Sequence, residues 1–98
     1  MPKFKYILSA EWIDKVSHFS EFANGGTQVT IKTKDGRVFN KILISNSSAI
    51  VAMRDYSDLP FELSEIDDIF QTEEDKNPAM RGGWHYWDQW WMNICQNL

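Results

Sequence analysis

The chain has 98 residues, a net charge of −4 and a single cysteine. That length suits one domain with a modest core that needs no disulfide or metal. The composition, 43% hydrophobic and 24% charged, excludes a disordered chain, and the lone Cys95 excludes an internal disulfide or a cysteine-built zinc site.

Charge is unevenly spread. Residues 1–41 hold seven Lys/Arg against four acids; residues 42–98 hold three against ten. One electropositive and one electronegative surface are expected. No run approaches the roughly 20 apolar residues of a membrane span. The opening MPKFKYILSAEW has neither a signal-length apolar run nor a small-residue cleavage pattern. A cytoplasmic protein, away from the membrane, is expected.

Near the N-terminus Phe4 and Tyr6 alternate with Lys3 and Lys5, which fits a short edge strand guarded by lysines. Ser9 to Ala23 reads as a helix, with Ser9 as N-cap and Glu11 and Asp14 near its positive end. Trp12, Val16, Phe19 and Ala23 fall on one face, with Ile13 at its margin. Asn24-Gly25-Gly26 stops it.

Thr27 to Lys34 is the next strand, Val29 and Ile31 facing inward and Thr30 and Lys32 facing water. Asp35-Gly36 between β-formers predicts a type I′ hairpin turn, which needs positive φ at both central residues. Arg37 to Ser45 follows, with Val38, Ile42 and Ile44 on one face and Phe39 and Leu43 on the other. Asn46-Ser47-Ser48 is a turn, Ala49 to Arg54 a strand, and Asp55 to Pro60 a polar loop. Leu59 to Leu63 fits a short edge strand. Ser64-Glu65-Ile66 is a tight turn, and Asp67 to Thr72 the last strand.

Residues 73–83, EEDKNPAMRGG, read as a poorly ordered linker. Trp84 to Leu98 predicts an amphipathic helix, with Trp84, Trp87, Trp91, Ile94, Cys95 and Leu98 within one arc of about 100°. The whole is one domain over 1–98: strand and helix 3–23, barrel 27–72, linker 73–83, terminal helix 84–98.

This order, and QVTIKTKDGRVFNKILIS with LPFELSEIDDIF in particular, resembles a small SH3-like barrel of the Sm-like variety. The likeness covers residues 27–70. It implies an α+β, mainly β fold: a five-stranded barrel with an N-terminal helix and, here, a Trp-rich C-terminal helix. Sm-like proteins usually carry glycine in the middle of the second strand, where this chain has Lys41. Their RNA pocket has a second Asn after the position of Asn46; here Ala49, Ile50 and Val51 follow. Their closing segment presents a basic pair; here it is Leu63-Ser64-Glu65. Barrels of this kind host many activities.

Catalytic patterns are absent from the sequence. His18 and His85 read as solvated, and no phosphate loop, HExxH or nucleophile elbow occurs. The acids Glu62, Glu65, Asp67, Asp68, Glu73, Glu74 and Asp75 lack the spacing of a calcium loop. No enzyme activity, cofactor or metal is expected. Five tryptophans, four of them within 84–91, are the unusual feature. Trp87 and Trp91 suit a core role, while Trp84, Tyr86 or Trp90 would stay exposed beside Arg81, as interface anchors do.

The expected function is a non-enzymatic protein-binding module. Its contacts would be Arg81, Trp84, Tyr86 and Trp90, steered by Glu73, Glu74 and Asp75. One version is a bacterial toxin-neutralising (immunity) protein facing a basic partner. A second reading is Sm-like nucleic-acid binding through Lys32, Lys34, Arg37 and Lys41, against which the net acidity weighs. A third is self-association into a homo-oligomer through open sheet edges.

Overall fold

The computed structural model describes residues 4–87. Five antiparallel strands form one curled sheet, β1 (Tyr6–Ile7), β2 (Gly26–Thr33), β3 (Val38–Ser45), β4 (Ala49–Met53) and β5 (Ile66–Phe70). Their order is β1-β4-β3-β2-β5. Two short helices, α1 (Ala10–Val16) and α2 (Glu73–Lys76), and a 3-10 turn at Leu63–Glu65 complete the order. Among the described residues β1 and β5 are the two sheet edges, with no pairing between them. Leu59 to Leu63 forms no strand; the fifth strand is instead the N-terminal one. No helix among the described residues is long and apolar enough to cross a membrane.

The concave face of the sheet carries the main core. Val29 and Ile31 from β2, Ile42 and Ile44 from β3 and Ile69 from β5 are each 0% exposed. Leu8 and Val16 close this core, with Trp12, Ile13 and Phe19 packed at its margin. Each fully buried aliphatic side chain contributes about 2 kcal/mol of transfer free energy. The α1 face therefore matches the periodicity, but the helix is shorter than Ser9–Ala23. It ends at Val16, where the Ser17 hydroxyl donates to the Asp14 carbonyl at 2.6 Å, a side-chain bond that competes with further helix. Ser9 stands at the N-cap without a side-chain cap bond.

Bulges, not simple alternation, decide which side chains face the core. In β2–β3 pairing Val29 opposes Ile42 but Ile31 opposes Phe39, so β3 holds one extra residue. Lys41 sits in that interval with φ +54°. The extra residue reverses the faces beyond it: Phe39 packs against the core, and Val38 is 58% exposed. This corrects the expected grouping of Val38 with Ile42 and Ile44. A second shift, between Leu43–Ala52 and Ile44–Ile50, lets β4 bury all five residues by splitting them between both faces.

The left-handed backbone at Lys41 is taken by a residue that carries a Cβ. For a residue with a Cβ that conformation costs about 1–2 kcal/mol. Lys41→Gly should raise stability by about 0.5–1 kcal/mol, net of the greater freedom glycine adds to the unfolded chain. Lys41→Val should lower it by about 2 kcal/mol, because branching at Cβ worsens the clash. Urea midpoints of the two variants decide it, and a destabilised Lys41→Gly would show that no left-handed residue is required there.

The turns also exchange roles. At Asp35-Gly36 only Gly36 has positive φ, +92°. The Gly36 amide donates to the Thr33 carbonyl at 3.0 Å and the Thr33 amide to the Arg37 carbonyl at 2.9 Å. That is a three-residue loop with its left-handed residue last, not a type I′ turn. Positive φ at two consecutive residues occurs instead at Asn46 (+50°) and Ser47 (+62°), closed by the Ser48 amide on the Ser45 carbonyl at 3.0 Å.

Two exposed carboxylates are tied by local bonds. The Thr33 hydroxyl and then the Arg37 guanidinium hold the Asp35 carboxyl below its ordinary pKa. The Tyr6 hydroxyl, which donates to Asp58 at 2.6 Å, and then the Leu59 amide do the same for Asp58. A carboxyl lowered on folding adds stability above its unfolded pKa and loses it as pH falls through the folded value. Tyr6→Phe should therefore move the Asp58 titration upward and weaken the acid dependence of stability. Carboxyl-detected NMR titration checks this; an unmoved Asp58 midpoint would refute it.

Candidate functional site

The outer face of the sheet is covered in two different ways. On β2 it presents polar side chains, Gln28 and Thr30, which are 2% and 3% exposed. On β3 and β4 it presents Leu43, Ala49, Val51 and Ala52, all buried in a second apolar cluster. The chain returns over both parts after β5.

The polar part receives α2, in the stretch expected to be a loose linker. Thr72 and Asp75 form a reciprocal capping box: the Asp75 amide donates to the Thr72 hydroxyl at 3.2 Å and the Thr72 amide to Asp75 Oδ2 at 2.9 Å. The same Asp75 carboxyl accepts from Gln28 Nε2 and Thr30 Oγ1, each at 2.8 Å. Asp75 is 1% exposed. Expected as a steering charge on the surface, it is an internal anchor that docks α2 on β2.

The apolar part receives residues 79–87, a strap without regular structure. Trp84 to Trp87 is not helical, which corrects the start of the expected terminal helix; the rest of that helix, Trp90 included, lies outside the described residues. Trp84 is half-buried against Phe22, ring centroids 6.4 Å apart. Above it lies the Arg54 guanidinium, 3.8 Å from the ring centroid. Arg54 also donates to the carbonyls of Gly83 (3.1 Å), Gly82 (2.7 Å) and Met80 (3.5 Å). At the far end the Trp87 amide donates to the Val51 carbonyl at 3.0 Å and its indole to the Tyr56 carbonyl at 3.0 Å. Trp87 meets Tyr6 edge-on at 5.7 Å.

Between the strap and the open end of β3–β4 lies a cleft of about 900 Å³, with Lys41, Arg54, Tyr56, Met80, Trp84 and Tyr86 among its walls. Three large apolar side chains stand exposed around it: Tyr56 (41%), Met80 (63%) and Tyr86 (38%). Lys41 and Asp55, both with positive φ, form its rim on the β side. Such backbone outliers gather at binding sites. Glu74 reaches the cleft wall, where its Oε1 accepts from the Ala79 amide at 3.3 Å.

The other expected contact residues distribute as follows. Arg81 donates to the carbonyls of Pro78 (3.1 Å) and Phe22 (3.3 Å) and to the Asn77 side chain, and it borders a pocket together with Trp84 and Tyr86. The cation stacked on the Trp84 ring is Arg54. Glu73 is fully solvated and 3.9 Å from Lys76. Lys32, Lys34 and Arg37 sit on the β2–β3 hairpin, interleaved with acids. Arg37 is 2.8 Å from Asp35 and 3.5 Å from Glu65, and Lys32 pairs in register with Asp68. Lys41 is separate from them, at the cleft. Among the described residues no group of three or more His, Cys, Asp or Glu converges to hold a metal ion.

The Thr72-x-x-Asp75 spacing is a readable signal for α2. No local signal marks Arg54, whose partners lie 26 to 29 residues away. Comparison of the chain with protein-family models, curated proteins and solved structures found no match.

Proposed function

We propose that this chain is a non-enzymatic protein-binding module whose contact surface is the cleft edged by Arg54, Tyr56, Met80, Trp84 and Tyr86. The observation that carries the reading is the exposure of Tyr56, Met80 and Tyr86 around a single cleft, beside an arginine stacked on tryptophan. Tyrosine, tryptophan and arginine are the residues that dominate interface energetics, and methionine adapts to irregular partner surfaces. The narrower version is a toxin-neutralising protein whose partner is basic. The excess of acids in residues 42–98 supports it, with Glu73 and Glu74 as steering charges. The curled five-stranded sheet and the left-handed Lys41 support the kinship with SH3-like and Sm-like barrels.

A photo-crosslinking residue placed at Tyr86, compared with the same residue at exposed Glu11 on α1, tests the reading in native cells. The expected result is one protein adduct, dominant from position 86 and absent from position 11. No adduct at 86, or the same adducts from both positions, would overturn it.

A further inference from the structure

We propose that the strap, residues 79–87, is a lid whose central latch is Arg54, and that it opens from the outer apolar face of the sheet while the sheet stays folded. The inference stands apart from the identity of any partner.

Three observations carry it. First, the strap is fixed by side chains rather than by a backbone ladder. Among the described residues one backbone bond, Trp87 to Val51, joins it to β4; Arg54 spans its middle by taking three carbonyls at once, and Arg81 on the Phe22 carbonyl and the Trp87 indole on the Tyr56 carbonyl complete the side-chain ties. Segments with few ladder bonds occupy the low end of a protein's local stability. Second, the strap is imperfectly satisfied. Among the described residues the buried Trp84 indole Nε1 finds no hydrogen-bond partner. A buried donor without a partner favours any state that returns it to water. Third, hinge material is in place. Gly82 and Gly83 lie beside the latch, and Gly83 takes φ +73°; Pro78 precedes the strap.

What lies beneath is continuous. Leu43, Val51 and Ala52 with Phe22 form an apolar strip that Trp84 now covers. Opening would expose that strip and dissolve the cleft, because Met80, Trp84 and Tyr86 all belong to the strap. The closed strap thus builds the ledge, and Arg54 decides how much of the population carries it. A guanidinium suits this role, since its planar fork reaches several carbonyls while its face stacks on an indole. A lysine ammonium can stack but cannot span all three carbonyls.

Hydrogen exchange of the full chain by NMR tests the proposal. The reporters are the Trp87 amide and the indole N–H groups of Trp84 and Trp87, against the amides of the β2–β3 ladder. In the unmodified chain the three reporters, each corrected for its intrinsic exchange rate, should share one protection factor, about tenfold or more below that of the ladder. Arg54→Ala should raise the reporter-to-ladder exchange ratio by about a further tenfold. Arg54→Lys, which keeps the charge, should raise it by roughly threefold and serves if the alanine variant does not fold. Reporters that exchange with the ladder in the unmodified chain would overturn the proposal. So would a ratio that Arg54→Lys leaves unchanged.

Discussion

Asp75→Ala should lower the unfolding free energy by about 3 kcal/mol, the largest effect expected of any polar substitution in this chain. The carboxyl is 1% exposed and serves three donors at once. Its removal strands the Gln28 amide and the Thr30 hydroxyl under α2 and removes half of the Thr72 capping box. Each buried donor left without a partner costs about 1–3 kcal/mol, and loss of the cap adds about 1 kcal/mol. Solvent entry as α2 lifts returns part of that, which is why the expected loss lies at the low end of the sum. Asp75→Asn should cost less, about 1 kcal/mol. Its carbonyl can keep the Thr72 amide and Thr30 hydroxyl, and its NH₂ can face Gln28 if that amide turns over to present oxygen. Chemical denaturation of both variants checks the order. Equal losses for Ala and Asn would show that charge, rather than hydrogen-bond matching, holds α2 down.

Gly25→Ala should cost about 1.5–2 kcal/mol, mostly through its backbone conformation and in smaller part through the exposed end of the Asn46 side chain, which must turn aside. Gly25 has φ +80°, where a Cβ costs about 1–2 kcal/mol. A Cβ there would also lie 2.6 Å from Asn46 Oδ1, inside van der Waals contact. The two residues are tied already, since the Asn46 amide donates to the Gly25 carbonyl at 2.8 Å. Asn46 is itself left-handed, so Asn46→Gly removes the obstructing side chain without opposing the backbone. In the Asn46→Gly background Gly25→Ala should cost only its conformational part, about 1 kcal/mol. A double-mutant cycle thus predicts a coupling of about 0.5–1 kcal/mol. Strict additivity would mean that the Asn46 side chain swings away freely and that the turn is not packed against residue 25.

The two positions illustrate different depths of sequence information. Asn24-Gly25-Gly26 was legible as a stop because glycine's freedom at positive φ is a property of the residue alone. What that glycine touches was not legible, because Asn46 reaches it across a strand pair. Asp75 is the sharper case. Its run of acids reads as a solvated face, and only the polar pair on the far side of β2, Gln28 and Thr30, turns it inward. The side chain lies 45 and 47 residues from those partners.

The tryptophans divide in the same way. Their density announced an aromatic surface, and Trp87 does pack beside the core with Tyr6. Of the three aromatics expected to stay exposed beside Arg81, Tyr86 is exposed and Trp84 lies half-buried under Arg54. Periodicity assumes a helix, whereas residues 84–87 are not helical and the Trp87 amide donates to the Val51 carbonyl.

By itself the amino-acid order determined the existence of β2, β3 and β4, the hairpins between them, the start of α1 and its apolar face. These depend on turn chemistry and on side-chain alternation over a few residues, which act before the chain has folded. Tertiary structure alone decided that a bulge at Lys41 turns Phe39 in and Val38 out, that Asp75 is an anchor rather than a surface charge, and that Arg54 ties down the strap. Each of these arises where segments distant in sequence compete for one face of the sheet, and the outcome depends on which pair satisfies its hydrogen bonds and fills its space, a balance that no single stretch of chain contains.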